Sequence, residues 1–262
     1  MIQVRDVAVV YPGGVRALAP TSLDFAPGDF TVLVGASGAG KSTLLRCLNG
    51  LVRPGAGRVL DRSGADLLVP GALRAHRRTT GMIFQQHQLI GRLSVLDNVL
   101  IGRLGFHGAL RTLLPFSEAE RRLALTAIER VGLIDMALRR ADRLSGGQQQ
   151  RVGIARALVQ TPRLILADEP VASLDPKSAE RVLGLLHRIC KDDGLTAIVS
   201  LHQLDFARRF ADRIVALAGG AVVFDGPPDA LGPDEVERIY GGAARSPSDA
   251  TESETATLEP VA

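Results

Sequence analysis

The sequence predicts an α/β fold in which buried parallel strands alternate with helices and one helical segment is inserted. Short runs that are apolar on both faces recur at residues 30–34, 164–167 and 195–201, as buried parallel strands require. Helical patterns lie between these runs, whereas residues 94–143 contain no strand-like run. A chain of 262 residues, 46% of them hydrophobic and 23% charged, is long enough to bury a sizeable core.

The helical insert, residues 94–143, is predicted from one apolar helix face. The residues that share this face are Leu123, Ala124, Ala127, Ile128 and Val131. Together with the absence of a strand-like run, this face indicates that the segment is helical.

Composition and spacing argue against several protein classes. The longest uncharged apolar stretches, such as residues 214–224, have 11 residues, and a membrane-spanning helix needs about 18 to 20. The first residues lack the basic region and apolar block of a signal peptide. Cys47 and Cys190 have the spacing of neither a disulfide framework nor a zinc site. We therefore expect a cytosolic protein.

Charge is distributed unevenly along the chain. The net charge of +3 combines −3 on residues 243–262 with +6 on residues 1–242. The acidic end has few bulky apolar side chains, which predicts a disordered tail behind a domain of residues 1–242.

Arginine clusters, such as Arg139 and Arg140, either bind a polyanion or form a solvated surface. Because no aromatic residues lie among them, we expect no nucleic-acid binding.

A glycine-rich motif follows the first predicted strand and precedes a helix-compatible segment, residues 44–48. It matches GxxxxGK[ST]. This phosphate loop, residues 35–43, consists of Gly35, Ala36, Ser37, Gly38, Ala39, Gly40, Lys41, Ser42 and Thr43. Its glycines allow a tight turn in which backbone N–H groups converge on phosphate oxygens. Lys41 would face the β and γ phosphates and the Ser42 hydroxyl could ligate Mg²⁺, so the motif predicts binding of a nucleoside triphosphate.

Other features narrow the class of nucleotide-binding protein. A GTPase needs an NKxD-type base reader, and neither Asn49 nor Asn98 precedes a lysine. The run Leu144-Ser145-Gly146-Gly147-Gln148 is not expected in a small-molecule kinase. Ser145 and Gln148 have the spacing of a capping box, and the two glycines would leave the first helical amides accessible to an anion.

Two adjacent carboxylates end the predicted strand at residues 164–168. Asp168 is expected to hold Mg²⁺ through water, and Glu169 to polarise the attacking water. Residues 195–201 form another predicted strand, and His202 follows it in the same position that Asp168 has on its own strand.

Together these motifs resemble the ATP-binding subunit of ABC transporters, over residues 2–240. The resemblance implies a P-loop NTPase (RecA-like) core with a parallel sheet, an antiparallel β part and the helical insert, which is the ABC ATPase fold. It implies ATP and Mg²⁺ as ligands. Residues 144–148 would be the family's signature, residues 173–175 its D-loop, and Glu169 its catalytic carboxylate.

The resemblance also assigns roles to single side chains. His202 is similar to the switch histidine that senses the γ phosphate, and Gln85 to the glutamine that reaches Mg²⁺ and couples to the membrane subunit. Tyr11 lies where the family places an aromatic ring under adenine. The metal ligands would be Ser42, Gln85 and Asp168. Ser200 and the acidic tail depart from the family pattern, and both departures are expected to lie outside the chemistry.

Within the family, several details are most similar to the ATPases of phosphonate importers. They are the doubled Gln85 and Gln86, the long segment of residues 102–117, and the run Leu201-His202-Gln203. Another cargo, such as phosphite or an amino acid, stays open at this point, as does a lipid-linked export substrate.

The resemblance implies partners and a location. In the family, two cassettes face head to tail and sandwich two ATP molecules, so that the phosphate loop of one chain meets Ser145 and Gly147 of the other. Integral membrane permease subunits would dock near Gln85, and a periplasmic solute-binding protein would act indirectly. The chain would be peripheral on the cytoplasmic face of the inner membrane. The alternative is a soluble ABC ATPase acting on nucleic acid or ribosomes, which a single phosphate loop and the absence of long heptads disfavour.

Overall fold

The structure is a computed structural model that describes residues 2–69, 71–85, 88–108 and 114–241. The strands are β1 Ile2–Val10, β2 Arg16–Phe25, β3 Phe30–Val34, β4 Ala56–Leu60, β5 Thr80–Ile83, β6 Leu164–Asp168, β7 Thr196–Ser200, β8 Arg213–Ala218 and β9 Ala221–Gly226. The helices are α1 Lys41–Leu48, α2 Ala72–Arg78, α3 Val95–Leu100, α4 Glu118–Arg130, α5 Gly146–Leu158, α6 Pro176–Asp192, α7 Leu204–Phe210 and α8 Pro233–Tyr240.

The main sheet has the order β5-β6-β7-β3-β8-β9, and β9 alone runs antiparallel to its neighbour within it. Its central strands are buried on both faces, because consecutive residues of a strand enter different cores. On β3, for example, Val32 packs with the larger set of helices while Leu33 packs on the side of α1. This double burial explains why the sequence shows continuous apolar runs instead of alternation.

A second sheet, with the order β2-β1-β4, is antiparallel throughout. Its apolar face covers α1, where Val4 and Val7 share a core with Leu44 and Leu45. Helix α1 is therefore held between two sheets, which fixes the loop that precedes it. No helix in the described part of the chain combines the length and apolar character needed to cross a lipid bilayer.

The segment predicted as a helical insert contains α3, α4 and short 3₁₀ helices. On the predicted apolar face, Ala124, Ala127, Ile128 and Val131 are buried, whereas Leu123 is 40% exposed. Leu123 lies at the edge of the apolar face, beyond the positions that point at α3 and α5.

Two contacts clamp the end of α4 to the rest of the domain. Arg130 donates two hydrogen bonds to the Asp193 carboxylate at the end of α6, at 2.7 and 2.9 Å. Arg151 of α5 donates to the Val131 carbonyl at 3.0 Å. The helical segment and α5 are thus tied together at one end.

The structure confirms the predicted α/β class with a mixed, mainly parallel sheet and an additional antiparallel sheet. The predicted strands at residues 30–34 and 164–168 are observed with those bounds, whereas the third is shorter, Thr196–Ser200. Three of the sequence predictions fall wholly or partly outside the described residues. They concern Gln86, the segment of residues 102–117, of which residues 109–113 are not described, and the predicted tail at residues 243–262.

We expect Gly102→Ala to destabilise the fold. Gly102 lies in the 3₁₀ helix Ile101–Phe106, where an added Cβ would stand 2.4 Å from the Arg156 carbonyl oxygen and 2.7 Å from a Val159 methyl. Such overpacking costs about 1–3 kcal/mol. The measurement is the urea midpoint of unfolding, followed by circular dichroism.

Gly105→Ala is the matched control, because Gly105 belongs to the same 3₁₀ helix and its added Cβ would meet no atom within 4 Å. This variant should unfold at nearly the wild-type midpoint. Equal losses in the two variants would contradict the packing of this segment against α5.

Candidate functional site

Four neighbouring strands of the main sheet, β5, β6, β7 and β3, run parallel, so their carboxyl ends share one edge. Gln85 follows β5, Asp168 ends β6, His202 follows β7, and the phosphate loop follows β3. These segments surround a cleft of about 490 Å³, the main cleft. Its lining includes Tyr11, Val15, Arg16, Ala17, Ser37, Gly38, Ala39, Gly40, Lys41, Ser42, Thr43, Gln85, Glu169 and His202. This edge of the sheet is where open α/β folds bind ligands.

The backbone of the phosphate loop requires glycine at both of its ends. Gly35 has φ +145° and an added Cβ would stand 2.2 Å from the Leu217 carbonyl oxygen. Gly40 has φ +103° and would meet the Ala17 carbonyl oxygen at 2.6 Å. The loop therefore lies directly against β2 and β8, and α1 begins at the next residue after Gly40.

Lys41 is buried and reaches back across the phosphate loop. Its Nζ donates hydrogen bonds to the carbonyl oxygens of Gly35 at 2.7 Å and of Ala36 at 3.0 Å. Burial lowers the pKa of this ammonium group, and the nearby Glu169 and Asp168 carboxylates oppose that shift. The site thus places one cation against two anions at the bottom of the cleft.

Asp168 is 4% exposed and accepts hydrogen bonds from two hydroxyl groups. Ser42 Oγ of α1 donates to Asp168 Oδ1 at 2.7 Å, and Ser200 Oγ of β7 donates to the same oxygen at 3.0 Å. Arg46 Nη2 lies 3.9 Å from the other carboxylate oxygen. A buried carboxylate is compatible with the interior only when it is compensated in this way.

The pair of Ser42 and Asp168 fits a magnesium ion. Both provide oxygen atoms, the ligands that Mg²⁺ prefers. No cluster of three or more His, Cys, Asp or Glu side chains suited to a metal occurs in the described ranges. This donor set matches an ion that takes one or two ligands from protein and the others from phosphates and water.

Glu169 has an unusual backbone conformation. Its φ is +47°, in the left-handed region that residues other than glycine rarely adopt. Its N–H donates to Ser200 Oγ at 2.9 Å, and its carboxylate Oε1 is paired with His202 Nε2. Two predicted catalytic side chains, Glu169 and His202, therefore touch each other in the main cleft.

Tyr11 and Gln85 lie at the rim of the main cleft. The Tyr11 hydroxyl is 3.3 Å from Thr43 Oγ1, which joins the loop after β1 to the start of α1. Gln85 is exposed and lines the cleft from the opposite side of the sheet edge. Behind the cleft, the Tyr240 hydroxyl of α8 donates to the His202 carbonyl oxygen at 3.3 Å.

The predicted residues Ser145, Gly146, Gly147 and Gln148 do not join the main cleft. Ser145 and Gln148 form the predicted capping box at the start of α5, in which Ser145 N donates to Gln148 Oε1 at 2.9 Å. Ser145, Gly147 and Gln148 line a different depression of about 570 Å³, the signature cleft, together with Arg151, Ser178 and Arg181. The two clefts share no lining residue, so one chain does not bring the signature to its own phosphate loop.

Ser200 is a buried neighbour of the candidate site whose contacts depend on the pairing of two strands. Its departure from the family pattern is expected to lie outside the chemistry, and in the structure its hydroxyl contacts both Asp168 and the backbone of Glu169. Ser200, and not His202, is the residue paired with Asp168 between β6 and β7. The order of the strands creates this neighbourhood, and the sequence alone does not reveal which strands are adjacent.

Comparison with known proteins places these motifs in a family. The family model described as ABC transporter matches residues 18–172. A phosphite import ATP-binding protein of Stutzerimonas stutzeri is 59% identical over 99% of this chain and 94% of its own length. A phosphonates import ATP-binding protein of Nostoc sp. is 56% identical over 93% of each chain.

Solved structures agree with the sequence relatives. A dimeric ATP-binding cassette in a post-hydrolysis state, bound to ADP and Pi, has a TM-score of 0.75 and 35% identity, covering 87% of this chain and 99% of that one. A second dimeric structure of the same bacterial ABC transporter cassette has a TM-score of 0.75 and 36% identity with the same coverage. Fold, motifs and relatives agree, and the chain belongs to the ABC transporter family of ATP-binding proteins.

Proposed function

We propose that this chain is the ATP-hydrolysing motor subunit of a binding-protein-dependent ABC importer whose cargo is a phosphonate. The proposal that the chain hydrolyses ATP rests on one observation. The phosphate loop, Asp168 and Glu169 lie together at the carboxyl ends of β3 and β6. The cargo follows from relatives that are named as phosphonates import ATP-binding proteins.

In the proposed reaction, the phosphate loop and Lys41 bind the phosphates of ATP. Ser42 and Asp168 would hold Mg²⁺, which when bound would offset negative charge on the phosphate oxygens. Glu169 accepts a proton from the attacking water as a general base. The contact between Glu169 and His202 supports this role, because it keeps the carboxylate at the wall of the main cleft.

The active form is proposed to be a head-to-tail pair of chains. Support comes from the separation of the signature cleft from the main cleft within one chain. The signature cleft contains Arg130, Arg151 and Arg181 beside one acidic residue, Glu129, a charge balance that suits the phosphates of a nucleotide held by a second chain. One related cassette is dimeric in two solved structures, one of them a post-hydrolysis state.

Permease subunits are proposed to dock near Gln85, and a periplasmic binding protein to deliver the solute to them. The names of the relatives as import ATP-binding proteins support a peripheral position on the cytoplasmic face of the inner membrane. Exposure of Gln85 at the rim of the main cleft is compatible with a contact that reaches both the nucleotide and a partner.

Phosphite is the second candidate cargo. The relative with 59% identity is named as a phosphite import protein, whereas relatives with 56% and 58% identity are named for phosphonates. Both cargoes are small tetrahedral phosphorus oxyanions, and the motor subunit is not the part expected to distinguish them.

Lys41→Ala should weaken ATP binding or hydrolysis at least tenfold, which corresponds to about 1.4 kcal/mol, because the charge facing the β and γ phosphates is lost. Lys191→Ala is the control, since Lys191 pairs with Asp212 beside the start of β3, at the opposite edge of the sheet. Binding of a fluorescent ATP analogue and steady-state ATPase rates are the measurements. Unchanged values for Lys41→Ala would contradict the assignment of the site.

Glu169→Gln should keep ATP binding but slow hydrolysis by roughly 10² or more, the usual worth of a positioned general base. The amide preserves the size of the side chain and removes its basicity. Because hydrolysis reopens the pair of chains, this variant should accumulate as an ATP-bound dimer in size-exclusion chromatography with light scattering. A monomer at saturating ATP would contradict the model of shared sites.

Ser145→Arg, introduced into the Glu169→Gln chain, should abolish that dimer because a bulky cation at the signature prevents close approach of the partner's phosphate loop. Ser117→Arg is the matched control: Ser117 also caps a helix through a capping box, at the start of α4. If both arginine variants lose the dimer equally, loss of a helix cap and not the signature contact is responsible.

A strain lacking this chain should fail to grow on a phosphonate as sole phosphorus source while growing normally on phosphate. Growth on phosphite is the third condition of the same experiment. If the strain fails to grow on phosphite but grows on the phosphonate, the cargo is phosphite and not a phosphonate. Normal growth under all three conditions, in a strain without a redundant importer, would overturn both.

A further inference from the structure

Ser200 is the last residue of β7 and is fully buried. Its register partners are Asp168 on β6 and Leu33 on β3, so it sits between the two strands that carry the carboxylates and the phosphate loop. Side chains alternate along a strand, and Asp168 and Ser200 both point to the side of the sheet where α1 packs.

A single hydroxyl group makes two different hydrogen bonds at this position. Ser200 Oγ donates its proton to Asp168 Oδ1 at 3.0 Å and accepts the Glu169 N–H at 2.9 Å. A serine hydroxyl has one donor and two acceptor positions, so both bonds form together. The oxygen therefore links the side chain of one carboxylate residue to the backbone of the next.

The bond to Glu169 matters because that residue has φ +47°. The left-handed region is unfavourable for a side chain with a Cβ, and such a conformation persists only where the surroundings enforce it. The hydrogen bond from the Glu169 N–H to Ser200 Oγ is one contact that holds this conformation. This backbone conformation is the one in which the Glu169 carboxylate meets His202 Nε2.

We propose that Ser200 is a positioning residue for ATP hydrolysis, whose hydroxyl fixes Asp168, the candidate magnesium ligand, relative to Glu169, the candidate base. The proposal rests on the proposed ATPase function. Without the hydroxyl, Asp168 keeps the hydrogen bond from Ser42 but loses its second donor, and the Glu169 N–H loses its acceptor. ATP binding by the phosphate loop does not use this hydroxyl.

The hydroxyl is not needed to hold β7 in the sheet. The strand pairs with β6 and β3 through its backbone, and the next residue, Leu201, donates its N–H to the Leu33 carbonyl oxygen at 2.9 Å. Removal of Oγ is therefore expected to change the geometry of the carboxylates more than the stability of the strand.

Ser200→Thr and Ser200→Val test the proposal as a matched pair, because both fill the same volume and only threonine keeps a hydroxyl. In the full-length chain, Ser200→Val should lower kcat at least tenfold with KM within twofold of wild type. Ser200→Thr should retain at least a third of the wild-type kcat. Thermal midpoints of the two variants should agree within a few degrees.

Binding of mant-ATP gives a readout independent of turnover. Its affinity in EDTA should be the same in wild type, Ser200→Val and Ser200→Thr. The gain in affinity on adding Mg²⁺ should be at least threefold smaller in Ser200→Val than in Ser200→Thr, because Asp168 is no longer held by a second donor.

A Ser200→Val chain with wild-type kcat would overturn the proposal, as would a Ser200→Thr chain as slow as Ser200→Val. If the larger side chains prevent folding, Ser200→Ala removes the hydroxyl without added volume, and a wild-type kcat in that variant would overturn it equally. A wild-type chain that does not hydrolyse ATP with Mg²⁺ would instead contradict the proposed function itself.

Discussion

The buried carboxylate of Asp168 imposes the arrangement of the site. A charge with 4% exposure must be compensated by hydrogen bonds, and its donors come from α1 and β7. These two elements are distant from β6 in sequence, so the carboxylate is satisfied only when β6, β7 and α1 are all correctly aligned. The double burial of the main sheet provides that alignment, since a strand packed on both faces has little freedom to shift.

Local sequence patterns were sufficient to predict most residues of the candidate site. The pairing of distant strands could not be predicted from those patterns. The phosphate loop, the signature and the pair Asp168 and Glu169 are contiguous motifs whose chemistry can be read from their order. The contacts of Ser200 with Asp168 and Glu169 cross from one strand to its neighbour, and they depend on β6 and β7 being paired in this register. Leu123 shows the same limit within one helix, because periodicity defines an apolar face but not how far its packing partners extend.

The helix that follows the signature and the helical segment are joined by several contacts in this fold. Arg151 of α5 is bonded to the end of α4, and Gly102 lies close to the backbone of Arg156 near the end of α5. Arg130 joins the same end of α4 to α6. These contacts hold the helical segment against α5, the helix that begins beside Ser145, whereas the phosphate loop lies against β2 and β8.

The left-handed backbone at Glu169 has a steric cost for the fold, whereas the side chain of the same residue is the candidate general base. Glycine would adopt the same conformation without the steric cost, which is about 1–2 kcal/mol for a residue with a Cβ. It would also lose the contact between the Glu169 carboxylate and His202, and glycine gives the unfolded chain more backbone entropy. In the proposed mechanism the carboxylate serves hydrolysis, so a screen of this chain for stability alone would accept replacements at Glu169 that a simultaneous selection for turnover would reject.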